Sequence, residues 1–174
     1  MLRHLLIESY GLIERAEVEF AGGATIFTGE TGSGKTMLIG ALDFALGARA
    51  GADVVRRGAR RALVTLVFDA DDAMRERFAA DGFELDPGEA ATVARDMTDA
   101  GRSTLRVNGR ASTAAYVREI RDAIAEIVGQ HEAQRLLAPA YHLELLDRFA
   151  GEPALGLRAR VAGAYARAEV AAEA

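Results

Sequence analysis

An α/β fold is predicted for this 174-residue chain by three observations. Two short stretches near the N-terminus alternate apolar and polar residues. A third apolar run leads into a glycine-rich turn, and the turn opens onto a segment with apolar residues at helical spacing. Strand, turn and helix in that order set a loop of backbone N–H groups at the start of a helix.

The elements follow in order. Leu5 and Ile7, then Val18 and Phe20, alternate with polar neighbours and read as two strands, with Gly11 near the turn between them. Gly22-Gly23 turns the chain into a third strand, Ala24 to Thr28. A helix runs from about Lys35 to Leu46, with Leu38, Ala41, Leu42, Ala45 and Leu46 at helical spacing and Gly47 as its stop. Ala62 to Phe68 is a strongly apolar strand. Asp71 to Ala80 reads as a helix, with Asp71-Asp72 as an N-cap cluster, and Pro87-Gly88 marks a turn.

Thr92 to Met97 and Thr104 to Val107 read as strands joined through Asp99, Ala100 and Gly101. Asn108-Gly109 is the dipeptide that type I′ turns prefer, because both central residues need positive φ. From Ser112 the pattern is helical, with Tyr116, Ile120, Ala123, Ile124 and Ile127 on one face, and another helix covers Ala140 to Phe149. Beyond Pro153 the tail is rich in Ala, Arg and Glu, with Leu157, Val161, Ala164, Ala168 and Ala172 at near-heptad spacing. That pattern fits the root of a coiled coil and equally a terminal helix packed on its own domain.

The length suits one domain with a real core. The absence of cysteine excludes both a disulfide framework and a thiolate metal site. The N-terminus has no unbroken apolar core of the kind a signal peptide needs, and no run reaches the ~18 apolar residues of a membrane helix. A formal net charge of −5 argues against a chain that coats nucleic acid with its whole surface. It leaves room for a local basic patch, and Arg49, Arg56, Arg57, Arg60 and Arg61 fall close together.

Gly29-Glu30-Thr31-Gly32-Ser33-Gly34-Lys35-Thr36 fills the pattern G-x-x-x-x-G-K-[ST] without a mismatch. Glycines let successive N–H groups curl inward toward phosphate oxygens, and the following helix turns its positive dipole end to the same anion. Lys35 is the only lysine among the chain's 21 basic residues. It would reach the terminal phosphates as a point charge, a role that arginine's planar fork does not fill. The Thr36 hydroxyl would ligate Mg²⁺. A GTPase reading fails because neither D-x-x-G nor N-K-x-D occurs. A small self-contained phosphotransferase would use Asp69, at the end of Leu66-Val67-Phe68, as its second Mg²⁺ anchor. In a further alternative the arginine cluster binds DNA and the glycine loop only stabilises the fold.

The opening Leu5-Leu6-Ile7-Glu8-Ser9-Tyr10, the acidic-apolar second strand and TGETGSGKT together resemble the N-terminal half of an ATPase head of the SMC type. Leu46 to Gly58, Gly101 to Arg110 and Ile127 to Leu137 carry the resemblance further, so that it covers residues 1 to about 150. Ser33 departs from the alanine frequent in these proteins. The resemblance implies a P-loop NTPase fold of the ABC/SMC type, the N-terminal lobe of a head with an antiparallel β-subdomain. It implies residues 1–150 as the head part and 151–174 as the start of a coiled-coil arm.

ATP and Mg²⁺ are the implied cofactors. Gly29, Glu30, Thr31, Gly32, Ser33, Gly34, Lys35, Thr36 and Gln130 would hold the nucleotide, with Thr36 and Gln130 on the metal and Lys35 catalytic. Gln130 enters only through the resemblance, as a Q-loop glutamine; the adjacent His131 is left outside the site. Arg49 is similar in position to an arginine near the nucleotide and DNA-facing surface.

These heads hydrolyse ATP in a composite site, and the signature motif and Walker B strand are missing from this sequence. The chain then reads as an N-terminal piece that binds ATP but hydrolyses little alone. Its implied partners are the C-terminal head half of the same protein, a second head, and DNA, without a membrane. The implied role is double-strand break repair and recombination, and the implied location cytoplasmic and nucleoid-associated. Such a piece would expose sheet edges and apolar surface and self-associate.

Overall fold

The computed structural model describes residues 1–30, 34–125, 127 and 139–172. They form two compact units, Met1–Ile127 and Val128–Ala174. The first is built on strands β1 (Leu2–Tyr10), β2 (Ile13–Glu19), β3 (Arg61–Phe68), β4 (Ala91–Thr98), β5 (Ser103–Val107) and β6 (Arg110–Ser112). They lie in the order β2-β1-β3-β4-β5-β6, with every neighbouring pair antiparallel. Helices α1 (Lys35–Ala45), α2 (Asp72–Ala80) and α3 (Ala114–Ile124) complete the unit, with a short 3₁₀ turn at Ala52–Val54.

Strand periodicity sends alternate side chains to one covered face. In β3 these are Ala62, Val64, Leu66 and Phe68, all essentially inaccessible; β1 adds Leu5 and Ile7, and β5 adds Leu105 and Val107. Against them pack Ala41, Phe44 and Ala45 of α1, Met74 and Phe78 of α2, and Val117, Ile120 and Ile124 of α3. The helices start where side chains can accept their first free N–H groups. Asp71 accepts from Met74 N at 2.8 Å, and Thr113 accepts from Tyr116 N at 3.2 Å. At Asn108-Gly109 both φ angles are positive, 49° and 76°, as a type I′ hairpin turn requires.

Gly47 ends α1 at φ +86°, where an added Cβ would stand 2.9 Å from the carbonyl oxygen of Ala114. Glycine therefore does two things there: it reverses the chain and lets α1 and α3 approach.

Three sequence expectations need correction. Ala24 to Thr28 is not a strand; it runs without secondary structure, with Ile26 81% and Phe27 44% exposed. Its apolar composition suits a buried strand, but no strand among the described residues pairs with it. On α3 the buried stripe is Val117, Ile120 and Ile124, while Ala123 is exposed. The helix also stops at Ile124, where Ala125 turns extended, so Ile127 lies outside it. The second unit contains helices α4 (Pro139–Ala150) and α5 (Glu152–Ala172), with Leu157 and Val161 of α5 exposed.

Candidate functional site: the start of the first helix

Gly34 caps α1 in the left-handed conformation, with φ 95°. It offers no side chain to the first free N–H groups, and the first turn carries no acidic residue. Space for a Cβ at Gly34 is open, so the backbone itself is approachable. Among the described residues no side chain caps the helix start, and it turns the positive end of its dipole outward, which suits an anion. Lys35, the first residue of α1, folds back so that its ammonium donates to the carbonyl oxygens of Gly29 and of Glu30, the latter at 2.8 Å. That contact closes the loop across residues 29 and 30. Thr36 follows as an exposed residue.

Beside Lys35 lies an apolar pocket of about 300 Å³, lined by Leu5, Phe20, Phe27, Leu38, Ile39 and Leu42. On its other flank α1 abuts the β1–β2 turn. Gly11 sits there at φ +55°, and a Cβ on it would come within 1.8 Å of the Met37 methyl carbon. Tyr10 packs its ring 5.5 Å from that of Phe44, and burial, then Asp43 and Asp53, push its phenol pKa up.

The far end of α1 is held by arginines. Arg95, pointing inward from β4 and only 5% exposed, donates to the carbonyls of Phe44 at 2.8 Å and Ala48 at 2.6 Å and to Ser103 Oγ at 3.0 Å. Its guanidinium also lies 4.4 Å from the Phe44 ring centroid. Burial pulls its pKa below the usual arginine value, with Arg118 acting in the same direction. From α3, Arg118 donates to the Gly47 carbonyl at 3.0 Å and Arg121 pairs with Asp43 at 2.9 Å. Cations at a helix C-terminus satisfy free carbonyls and oppose the negative dipole end. Sequence reading missed this clamp. Its signal was present: in ATVARDMT the inward positions are Ala91, Val93, Arg95 and Met97, and an arginine there must find buried acceptors.

Of the sequence-predicted site residues, the structure brings Gly29, Glu30, Gly34, Lys35 and Thr36 together at the start of α1. Thr31, Gly32 and Ser33, and also Gln130 and His131, lie outside the described residues. Asp69 sits past the end of β3 beside Met1, where its backbone N–H donates to the Met1 carbonyl at 2.8 Å. Arg3 grips its carboxylate at 2.6 Å, and that bond holds the carboxyl below its usual pKa. Asp69 does not line the pocket at Lys35.

A glycine-capped helix start, a lysine folded onto the loop before it and a helix braced against an antiparallel sheet fit a P-loop ATPase fold of the SMC-head class. The chain belongs to the AAA domain family, which it matches over residues 4–138. Its fold is that of the SMC head domain from Thermotoga maritima, with a TM-score of 0.56 and 25% identity over 78% of this chain and 49% of that one.

Within that class it is similar to the DNA repair protein RecN. Identity is 40% with RecN of Halalkalibacterium halodurans, over 88% of this chain and 27% of the relative. With RecN of Bacillus subtilis it is 37%, over 87% and 26%. The chain thus spans about a quarter of the length of the curated relatives it matches, and fits an N-terminal head segment.

Proposed function

We propose that this chain is the ATP-binding half of a RecN-like ATPase head that acts in repair of DNA double-strand breaks. The observation that carries the reading is the folded Lys35, whose ammonium meets the Gly29 and Glu30 carbonyls at a helix start with a glycine cap and no acid in its first turn. In this reading Gly29 to Gly34 cradle the phosphates, and Lys35 neutralises their charge. Thr36 and Gln130 hold Mg²⁺, which supplies charge stabilisation when bound. Residues 1–150 form the head part, and 151–174 begin a coiled-coil arm.

Hydrolysis requires a C-terminal head half and a second head. The exposed Ile26-Phe27 segment and the apolar pocket beside Lys35 support an incomplete sheet that such a half would finish. The working location is the cytoplasm, at the nucleoid. The self-contained phosphotransferase reading is weakened by the engagement of Asp69 with Arg3.

The test is ATP·Mg²⁺ binding and turnover by the chain alone, and then mixed with a chain carrying the C-terminal half of the head. Binding without turnover, with activity appearing on mixing, is the expected result. Sustained turnover by the chain alone overturns it.

A further inference from the structure

Helix α1 carries its own charges the wrong way round. Its first turn has no acid and its last turn no base, and that last turn holds Asp43. An acid near a helix C-terminus faces the negative end of the dipole. Charges that suit the dipole therefore come from outside the helix. The start suits an anion, and the far end takes its cations from β4 and α3.

What holds α1 differs along its length. Beside its first turns the chain meets it through glycines. Met37 lies against Gly11, and a Cβ on Gly40 would stand 3.4 Å from the Tyr10 hydroxyl oxygen. Such contacts set how near the helix lies, but apolar packing has no direction and a methionine adapts its shape. At the far end the contacts are directional. Arg121 Nη2 meets Asp43 Oδ1 at 2.9 Å, Arg118 donates to the Gly47 carbonyl at 3.0 Å, and Arg95 donates to the carbonyls of Phe44 and Ala48. Gly47 makes room for this approach, since an added Cβ would stand 3.2 Å from Arg118 Cγ. The rotation of α1 about its axis is thus fixed at its C-terminal end.

Folding stability does not account for the Arg121–Asp43 pair. The two side chains are 22% and 34% exposed, and an ion pair so open adds little to stability. Yet Asp43 has the wrong sign for its helix end and finds its partner 78 residues away. Its direction, more than its strength, is what the pair contributes.

We propose that Asp43 and Arg121 are positioning residues for the phosphate site, their pair setting the rotation of α1 that aims Lys35 and Thr36 at the nucleotide phosphates. The inference deepens the ATP-binding reading above and rests on it. Neither residue touches nucleotide. Asp43 lies about 12 Å along the axis from Lys35, and the helix between them carries the effect as a rod. Side chains reach about 5–6 Å from a helix axis, so a rotation of about 10° moves their ends by about 1 Å. A displacement of that size is felt where a charge must meet a phosphate oxygen. The link is reciprocal, so nucleotide bound at the start of α1 tightens the pair at its end.

The test is calorimetric titration of the whole chain with ATP and Mg²⁺. Arg121→Gln, Asp43→Asn, the two together and Arg121→Lys are compared with the parent. Arg158→Gln is the control, because it breaks an ion pair of the second unit, Arg158 with Asp147 at 2.8 Å. Each single neutralisation is expected to weaken ATP binding by about five- to tenfold. The double variant should be no weaker than the singles, as for two ends of one contact. Arg121→Lys, which keeps an ion pair, should stay within about threefold of the parent, and so should the control. All melting temperatures should lie within about 3 °C of the parent. Hydrogen exchange supplies a readout that a merely structural role does not move. ATP should slow exchange in α3 of the parent and leave α3 of Arg121→Gln unchanged.

Unchanged affinity in both singles, losses that add in the double variant, or an equal loss in the control overturns the proposal. So does a loss of affinity that follows the melting temperature across the series. If Arg121→Gln fails to fold, Asp43→Asn carries the comparison. A parent that binds no ATP overturns the reading above and this inference with it. A parent that binds ATP no better than its variants overturns this inference alone.

Discussion

Lys35 holds its own loop closed, and the carbonyls of Gly29 and Glu30 occupy its ammonium. Lys35→Ala removes both the point charge and that closure. A charge-assisted hydrogen bond from an ammonium to phosphate is worth about 1.5–3 kcal/mol, so without it ATP affinity should fall by at least about tenfold. The site is near the surface, so the melting transition should hardly move; calorimetric titration and a thermal melt separate the two effects. Tyr116 gives a pH-dependent counterpart. Its hydroxyl is buried, and burial, then the neighbouring Asp81 carboxylate, push its pKa up to about 12. An unfolded tyrosine titrates near 10. Between those values the unfolded chain loses the proton while the folded chain keeps it, so this contribution is complete below about pH 10 and lost as pH rises toward 12. Absorbance titration should show a late-titrating tyrosine, and Tyr116→Phe should flatten the alkaline fall in melting temperature.

Among the elements, α1 is the one on which the candidate site depends, and it is fixed at its far end. Arg95→Met keeps much of the volume but leaves the Ala48 carbonyl without its donor and the Phe44 carbonyl with only the Gly47 N–H at 3.2 Å. A buried unsatisfied group costs about 1–3 kcal/mol, so urea unfolding should show a loss in that range. Arg95→Lys should recover little of it, since one ammonium cannot reproduce the fork. The elements also show what could be read in advance. Period-2 alternation placed β1 and β2, an apolar run placed β3, and Asp71, Gly47 and Asn108-Gly109 marked a helix start, a helix end and a hairpin turn, because those are local rules of sterics and hydrogen bonding. Ala24 to Thr28 has the same local signature, yet a strand needs a neighbour, and that is a non-local fact. The inward Arg95 was legible as an oddity but not as a clamp, because its acceptors lie 47 and 51 residues away. On α3, Val117 rather than Ala123 is buried because the rotation of a helix about its axis is set by what it packs on.

The first unit has an apolar surface that its own described residues do not cover. Ile26, Phe27 and Ile39 are exposed, and the latter two line the apolar pocket with Leu5, Phe20, Leu38 and Leu42. Apolar surface gains about 25 cal/mol per Å² on burial, and an unpaired extended segment offers a row of free N–H and C=O groups besides. Both drive association with whatever can cover them, and in isolation that is a second copy of the chain. Light scattering after size exclusion should therefore show concentration-dependent self-association. Phe27→Asp should reduce it, because a carboxylate in that seam would have to be desolvated. If the seam is where a C-terminal head half completes the sheet, adding that half should dissolve the self-associated species into a one-to-one complex. Phe27→Asp should then weaken that complex as well. Self-association that persists in Phe27→Asp, or that is indifferent to the added half, would place the contact elsewhere on the surface.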